Sequence, residues 1–363
     1  MKSTSIRRAI VPGIAVLTLA LSGCGAGNEA SGNTGSGLSG TLNGGGSSAQ
    51  ESAQAAWRAG YQTANSGVTV NYDPVGSGTG RENFISGAYM FAGSDSALTT
   101  DGGELDSAKK HCGGDVIEVP AYVSPIAVVF HVQGIDKLQL SSSTIGDIFS
   151  GKVTKWNDPE IAKDNPGAKL PSTTITPVHR SDDSGTTANF TDYLEQTSGG
   201  TWKYPTDDTW PIKGGESGEG TSGLVAAVKA GDGTIGYADE SQVGDLGVAS
   251  IKVGSSYNAP SADGAAKVLA MSPKVSGRGA NDMAIQVDRK ATQPGDYPLM
   301  LTSYLIACPT YGSKTDADMV KGFLSYAVSS KGQQVAADQA GSAPLDPALQ
   351  QQATKIVDQI AAK

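Results

Sequence analysis

The residues best suited to chemistry in this chain lie in Arg180-Ser-Asp-Asp-Ser-Gly-Thr186. A fixed cation, Arg180, is followed by Asp182 and Asp183, then by the small run Ser184-Gly185-Thr186-Thr187. The alternating flank over 174–178 reads as a strand end, and the spacing of Phe190, Tyr193 and Leu194 predicts a helix. A strand that turns into a helix through such a loop aims unpaired N–H groups at the loop, with the positive end of the helix dipole behind them. With a planar guanidinium fork beside it, this is chemistry for holding a tetrahedral oxyanion. The plainer alternative is an ordinary helix start, capped by Asp183 or Ser184, next to a solvated arginine.

Three more loops repeat the pattern. Gly46-Ser47-Ser48 opens a helix, Gly76-Ser77-Gly78 follows a strand, and Ser94-Asp95 follows another. Each puts small hydroxyls or bare amides at the carboxyl end of a strand, where open α/β sheets bind ligands. A serine hydrolase or phosphatase would need a Gly-x-Ser-x-Gly elbow or a metal cluster, and the chain has neither. His179 would have to serve as its base, and a lone histidine at a strand end is more often structural. With only His111, His131 and His179 and no Cys/His cluster, no metal and no cofactor are expected. The segment 146–153 has P-loop spacing as far as Lys152, but Val153 stands where a magnesium-holding hydroxyl belongs and a helix precedes it.

Residues 1–23 carry Lys2, Arg7 and Arg8 before an apolar run and read as an export signal. The ending Leu21-Ser-Gly-Cys24 looks like a bacterial lipobox, which would make Cys24 a lipidated N-terminus, and residues 24–40 read as a Gly/Ser-rich tether. Loss of the leader would move the formal charge from −9 to −12, with 24 basic against 36 acidic residues. So acidic a chain is unsuited to nucleic acid, and an anion site in it must work through local donors. Outside the cytoplasm, the two remaining cysteines, Cys112 and Cys308, are expected to form a disulfide.

Beyond the tether, about 320 residues suffice for two domains. Helices are expected over 50–65, with Ala53, Trp57, Tyr61 and Ala64 on one face, and over 81–86, 144–149, 222–229 and 316–340. Strands are expected over 68–72, 90–93, 115–120, 125–132, 234–238 and 299–307. This βα alternation predicts an α/β fold with mostly parallel sheets.

Taken together, the chain resembles the phosphate-binding lipoproteins of the bacterial high-affinity phosphate ABC transporter. The resemblance spans about 42–345, and its most specific part is Arg180-Ser-Asp-x-Ser-Gly-Thr186. Supporting matches are Gly76-Ser77, Gly93-Ser-Asp95, Ile145-Gly-Asp-Ile-Phe149, Lys155-Trp-Asn-Asp158, Asn165-Pro-Gly167, Trp210-Pro-Ile212 and Gly233-Thr-Ile-Gly-Tyr237. It implies a two-lobed, type II periplasmic-binding-protein-like fold, each lobe a mostly parallel sheet flanked by helices. Lobe 1 would be 41–124 plus 301–363 and lobe 2 would be 125–300, with the ligand in the cleft between them. By the same resemblance Ser48, Ser77, Arg180, Ser184, Gly185, Thr186 and the backbone of Ala49 would donate to phosphate oxygens. Asp95 would accept from a phosphate P–OH, and Asp182 would hold the Arg180 fork. A carboxylate facing an anion is repulsive unless a proton lies between them, so Asp95 would select protonated phosphate over sulfate or molybdate. The implied protein is a non-enzymatic monomer, lipid-anchored on the outer face of the cell membrane, that delivers phosphate to transmembrane permease subunits. Two positions depart from the family pattern: Ala49 replaces a common Phe, and Asp183, expected to face solvent, replaces a common Gly.

Overall fold

The structure is a computed structural model that describes residues 37–363. The export signal, Cys24 and most of the tether lie outside the described residues. The chain enters the sheet at once through β1 (Gly40–Gly46). This glycine-rich strand was not expected, and its bare backbone is required by close approach. A Cβ on Gly44 would overlap the Phe91 ring, one on Gly45 would lie 2.6 Å from the Asp73 carbonyl, and one on Gly46 would strike the Gly93 carbonyl.

α1 (Glu51–Ala64) buries Ala53, Trp57 and Tyr61, while Ala64 at its end is exposed. β2 (Val68–Asp73) alternates, with Val68, Val70 and Tyr72 inward. α2 (Ser77–Ile85), β3 (Phe91–Ser94) and α3 (Glu104–Cys112) follow, and Gly113 ends α3 in a left-handed conformation.

The two strands expected over 115–120 and 125–132 are one 15-residue strand, β4 (Ile117–His131). Pro120 and Pro125 suggested a break, yet both are accommodated in the pairing with β11 (Met300–Ala307), where a bulge lies between Ser303 and Tyr304. Both strands are buried along nearly their whole length, so neither shows alternation.

After β4 come β5 (Leu138–Leu140), α4 (Ser142–Phe149), α5 (Pro159–Asp164), β6 (Thr176–Arg180) and α6 (Gly185–Thr197). Then β7 (Glu216–Gly218), α7 (Gly220–Ala230), β8 (Thr234–Asp239), β9 (Gly247–Val253), β10 (Ser256–Asn258) and α8 (Ala262–Met271) lead to β11. β12 (Thr310–Tyr311), α9 (Lys314–Val328), α10 (Ser330–Ala340), α11 (Pro347–Val357) and β13 (Ala361–Ala362) complete the chain. The single helix expected over 316–340 is thus two. Ser329 between them is extended, and its hydroxyl accepts from Gly332 N–H as the cap of α10.

The main sheet runs β2-β1-β3-β11-β4-β8-β6-β7. Its flanks are parallel, as the βα alternation implies: β2-β1-β3 on one side and β8-β6-β7 on the other. The centre is antiparallel, because β11 and β4 are crossing strands. β4 pairs with β11 over its first half and with β8 from Ile126 onward, so one continuous strand serves both flanks. The expected disulfide is present: Cys112 and Cys308, 196 positions apart with Cα atoms 5.1 Å apart, join the end of α3 to the end of β11. They sit in an apolar cluster with Phe84, Leu98, Val116, Tyr304 and Ile306.

Candidate functional site

Four helices begin where the two parallel flanks face each other. The residues ahead of α1 and the first residues of α2 come from one flank, and the first residues of α6 and α7 come from the other. Ser47, Ser48, Ala49, Ser77, Asp95, Arg180, Ser184 and Thr186 are each at most 3% exposed. Their hydrogen bonds tie the four starts together. Ser48 Oγ lies 2.9 Å from Thr221 Oγ1 and accepts from Thr221 N–H at 2.9 Å. Ser77 Oγ accepts from Asp95 N–H at 3.1 Å, and Thr186 Oγ1 donates to Asp95 Oδ2 at 3.0 Å. A Cβ on Gly185 would come 2.7 Å from Ser96 N and 2.8 Å from Ser77 Oγ, so the first residue of α6 has to be glycine for the two flanks to meet.

Arg180 ends β6 and is held by Asp182, which takes Nε at 2.7 Å on Oδ1 and Nη2 on Oδ2. Asp182 Oδ1 also accepts from Gly220 N–H at 3.0 Å, so the same carboxylate fixes the start of α7. The guanidinium is not saturated: Nη1 has no partner among the described residues. That distinguishes Arg180 from the other arginines with nearly buried side chains. Arg81, Arg278 and Arg289 each engage all three guanidinium nitrogens with carboxylates, hydroxyls, an amide or backbone carbonyls. A buried arginine with an uncommitted donor, next to the starts of α6 and α7, has chemistry suited to an anion.

Asp95 is the opposite pole. Its Oδ1 accepts from Ser47 Oγ and Ser303 Oγ, each at 2.6 Å, and its Oδ2 from Thr186. Burial raises its pKa above the ordinary carboxylate range, and the hydroxyls of Ser303, Ser47 and Thr186 and the charge of Arg180 oppose that rise. Tyr237, pushed up to about 12 by burial, stays neutral, lies 2.7 Å from Thr187 Oγ1 and accepts from Arg180 N–H.

The expected residues therefore assemble, with differences of detail. Ser184 caps α6, its hydroxyl accepting from Thr187 N–H, as the plainer reading of this loop had it. Ala49 N–H points to Ser47 Oγ at 3.1 Å. Asp183 is exposed, as expected, and accepts from Thr209 Oγ1. His179 stacks on Trp210 with its ring nitrogens against the Arg180 and Gly214 carbonyls, a structural setting. Lys152, in the P-loop-like segment, is bound to Asp147 after a helix. Among the described residues no group of His, Cys, Asp and Glu could hold a metal ion.

Sequence reasoning missed Gly220 and Thr221, although Gly218-Glu-Gly-Thr-Ser222 has the same strand–glycine–hydroxyl–helix pattern as the other loops. It also missed Ser303, whose signal was a pair of hydroxyl residues, Thr302-Ser303, inside an otherwise apolar buried run.

Comparison with known proteins agrees with this geometry. Residues 31–331 match the profile of the PBP superfamily domain. The phosphate-binding protein PstS2 of Mycobacterium bovis (strain BCG / Pasteur 1173P2) is 34% identical over 361 residues, covering 96% of both chains. The phosphate-binding protein PstS 3 of Mycobacterium leprae is 34% identical over 320 residues, 84% of this chain and 86% of its own. Among solved structures, the high-affinity periplasmic phosphate-binding protein PfluDING, bound with phosphate, superposes with a TM-score of 0.70 at 21% identity, covering 86% of this chain and 92% of its own. A phosphate-binding protein from Stenotrophomonas maltophilia gives 0.67 at 21% identity, covering 87% and 94%. These structures share the two-lobed α/β fold. With a profile match across most of its length and one-third identity to these relatives over 84% or more of the chain, it belongs to the PBP superfamily, among its PstS phosphate-binding proteins.

Proposed function

We propose that this protein captures inorganic phosphate outside the cytoplasm and delivers it to the permease of a phosphate ABC import system. The observation that carries the reading is the pairing of two buried poles. On one side is Arg180 with an uncommitted Nη1, backed by helix starts; on the other is a carboxylate, Asp95, in the same closed site. Donors alone would suit any oxyanion. A carboxylate facing the anion requires a shared proton, and protonated phosphate supplies one where sulfate does not. Ser48, Ser77, Ser184, Gly185 and Thr186 would complete the donor shell, the Ala49 N–H being spent on Ser47 Oγ, and Asp182 would hold the fork of Arg180.

The lobes would be 41–124 plus 301–363 and 125–300, rotating about the crossing strands β4 and β11. The links Ser48–Thr221, Thr186–Asp95 and Gln242 Nε2 to the Ser48 carbonyl (2.8 Å) join these two parts and support the reading of this form as closed. Phosphate would shift the open–closed equilibrium by binding the closed form better. The task is binding without chemistry. The chain would act as a monomer anchored through lipid on Cys24, with the permease recognising the closed form.

Titration calorimetry on phosphate-stripped protein, comparing phosphate with sulfate near neutral pH, tests this. Tight phosphate binding, negligible sulfate binding and loss of that preference in Asp95→Asn are expected, by about 10⁴-fold or more for a site that leaves a buried acceptor unpaired. Equal binding of sulfate would overturn the phosphate assignment.

A further inference from the structure

The two oxygens of Asp95 are not equivalent, and the difference is built from Ser47 and from two residues outside the anion-binding loops, Gln50 and Ser303. Gln50 Nε2 lies 3.0 Å from the Tyr304 carbonyl and 2.5 Å from Ser303 Oγ, while its Oε1 accepts from Gln54 Nε2 at 2.8 Å. A carbonyl can only accept, so the atom facing Tyr304 O is the amide nitrogen, and the orientation of the Gln50 amide is settled. Its second hydrogen then goes to Ser303 Oγ. With that lone pair engaged, the Ser303 proton points to Asp95 Oδ1. Ser47 is arranged the same way: its Oγ accepts from the backbone N–H groups of Ala49 at 3.1 Å and Gln50 at 3.3 Å, so its own proton is directed to Oδ1 at 2.6 Å. Oδ1 thus receives two donors whose polarity is imposed from behind. Oδ2 receives only Thr186 Oγ1, which takes no hydrogen bond from a described residue and is free to turn away.

We propose that Ser303, oriented by Gln50, is a positioning residue that together with Ser47 saturates Asp95 Oδ1 with donors and leaves Oδ2 as the single acceptor that reads the proton of the bound anion. This rests on the phosphate reading above and deepens it. Proton reading needs Asp95 ionised despite full burial, and of the groups that counter burial the Ser303 hydroxyl contributes most. The other charged or titratable groups around Asp95 are held by their own partners, apart from the Nη1 that Arg180 keeps free. Arg180 is paired with Asp182, Tyr72 donates to the Ser47 carbonyl, and Tyr304, a buried neutral phenol, accepts from Ile285 N–H. Arg289 is bound to Asp192 and reaches the Asp95 backbone through Asn189, and Arg81 is bound to Asp208 beside Ser96.

Without the Ser303 donor, Asp95 takes up a proton at higher pH. A protonated Oδ2 presents an O–H, which opposes a P–OH and suits a fully deprotonated oxyanion. The experiment is calorimetry with inorganic phosphate and with sulfate on the full chain, from about pH 8 to about pH 5.5, a range that spans the rise expected of a buried carboxyl. In Ser303→Ala the phosphate-over-sulfate ratio is expected to fall about ten- to hundredfold, as for loss of one hydrogen bond to a buried charge. The acid-side loss of phosphate affinity is expected to move up by about one pH unit. Ser303→Thr, which keeps the hydroxyl, should restore both. A uniform loss of affinity at every pH, with no gain in sulfate binding, would overturn the proposal and leave Ser303 a packing residue. Should Ser303→Ala not fold, Ser47→Ala removes the second donor and must shift selectivity and pH profile in the same direction, or the proposal fails. A wild-type chain that binds phosphate selectively while both variants match it refutes this inference alone. A wild-type chain that does not bind phosphate refutes the function reading beneath it.

Discussion

Arg180 and Arg81 are the same residue in nearly the same burial, 3% and 5% exposed, and their guanidinium groups are committed differently. Arg81 on α2 spends every guanidinium nitrogen on protein. Nε goes to Glu104 at 2.7 Å, Nη1 to the hydroxyls of Ser94 and Ser96, and Nη2 to Asp208 at 2.5 Å. Two carboxylates offset its charge, and it bridges the start of one flank to the loop before β7. Arg180 takes a single carboxylate, Asp182, through two nitrogens, and keeps the third. A saturated buried arginine is a structural rivet, whereas an unsaturated one beside helix N-termini has the chemistry of a receptor for negative charge, the role proposed for Arg180. Residue type and burial do not separate the two roles; the count of uncommitted donors does.

One conservative substitution at both positions tests the contrast. Arg180→Lys keeps the charge but loses the planar fork, so Asp182 and an anion can no longer be served together. Phosphate affinity is expected to fall by about a hundredfold or more, as for a disrupted charged hydrogen bond in a desolvated site, with little change in melting temperature. Calorimetry and a thermal melt on the same sample read both. Arg81→Lys is expected to do the reverse. A lysine cannot reach Glu104, Asp208 and two serines at once, so stability should fall by roughly 1–3 kcal/mol, while affinity falls less than about tenfold through weaker closure. If Arg81→Lys abolished binding and left the melt unchanged, the distinction between rivet and receptor would be lost.

The loops proposed as the receptor were legible in the sequence and the rivet was not. The Arg180 loop, Ser77 and Asp95 announce themselves because glycine and small hydroxyls at successive strand ends are costly unless a backbone must come close to something. The disulfide was also legible, since two cysteines in a chain that reads as exported have few other uses. Arg81 finds Asp208 across 127 positions, and Gln50 finds Ser303 across 253, and no local pattern encodes such partners. Two elements misled for opposite reasons. β1 carries Gly44-Gly-Gly46 and reads as loop, yet the Phe91 ring and the Gly93 carbonyl leave no room for side chains there. β4 contains Pro120 and Pro125 and reads as two strands, yet its partner β11 accommodates them around a bulge. Position within the sheet overrode local propensity in both.

Asp183 gives the smallest expected effect and bears on where the receptor ends. It is the residue after the one that holds Arg180, and it adds negative charge to the loop proposed to bind the anion. Its side chain is exposed and accepts from Thr209 Oγ1 at 2.7 Å, while its backbone carbonyl accepts from Gly78 N–H at 3.0 Å. The backbone therefore helps close the site and the carboxylate faces water, where counterions screen it within about 8–10 Å. Asp183→Asn keeps the shape, the carbonyl and an acceptor for Thr209 and removes only the charge. Phosphate affinity is expected to rise by no more than about twofold at low salt, chiefly through faster association, and the gain should vanish as ionic strength increases. A rise of about tenfold that survived high salt would mean that this charge is felt inside the site. The boundary between screened rim and desolvated receptor would then lie one residue further along the loop than the burial of Ser184 and Arg180 places it.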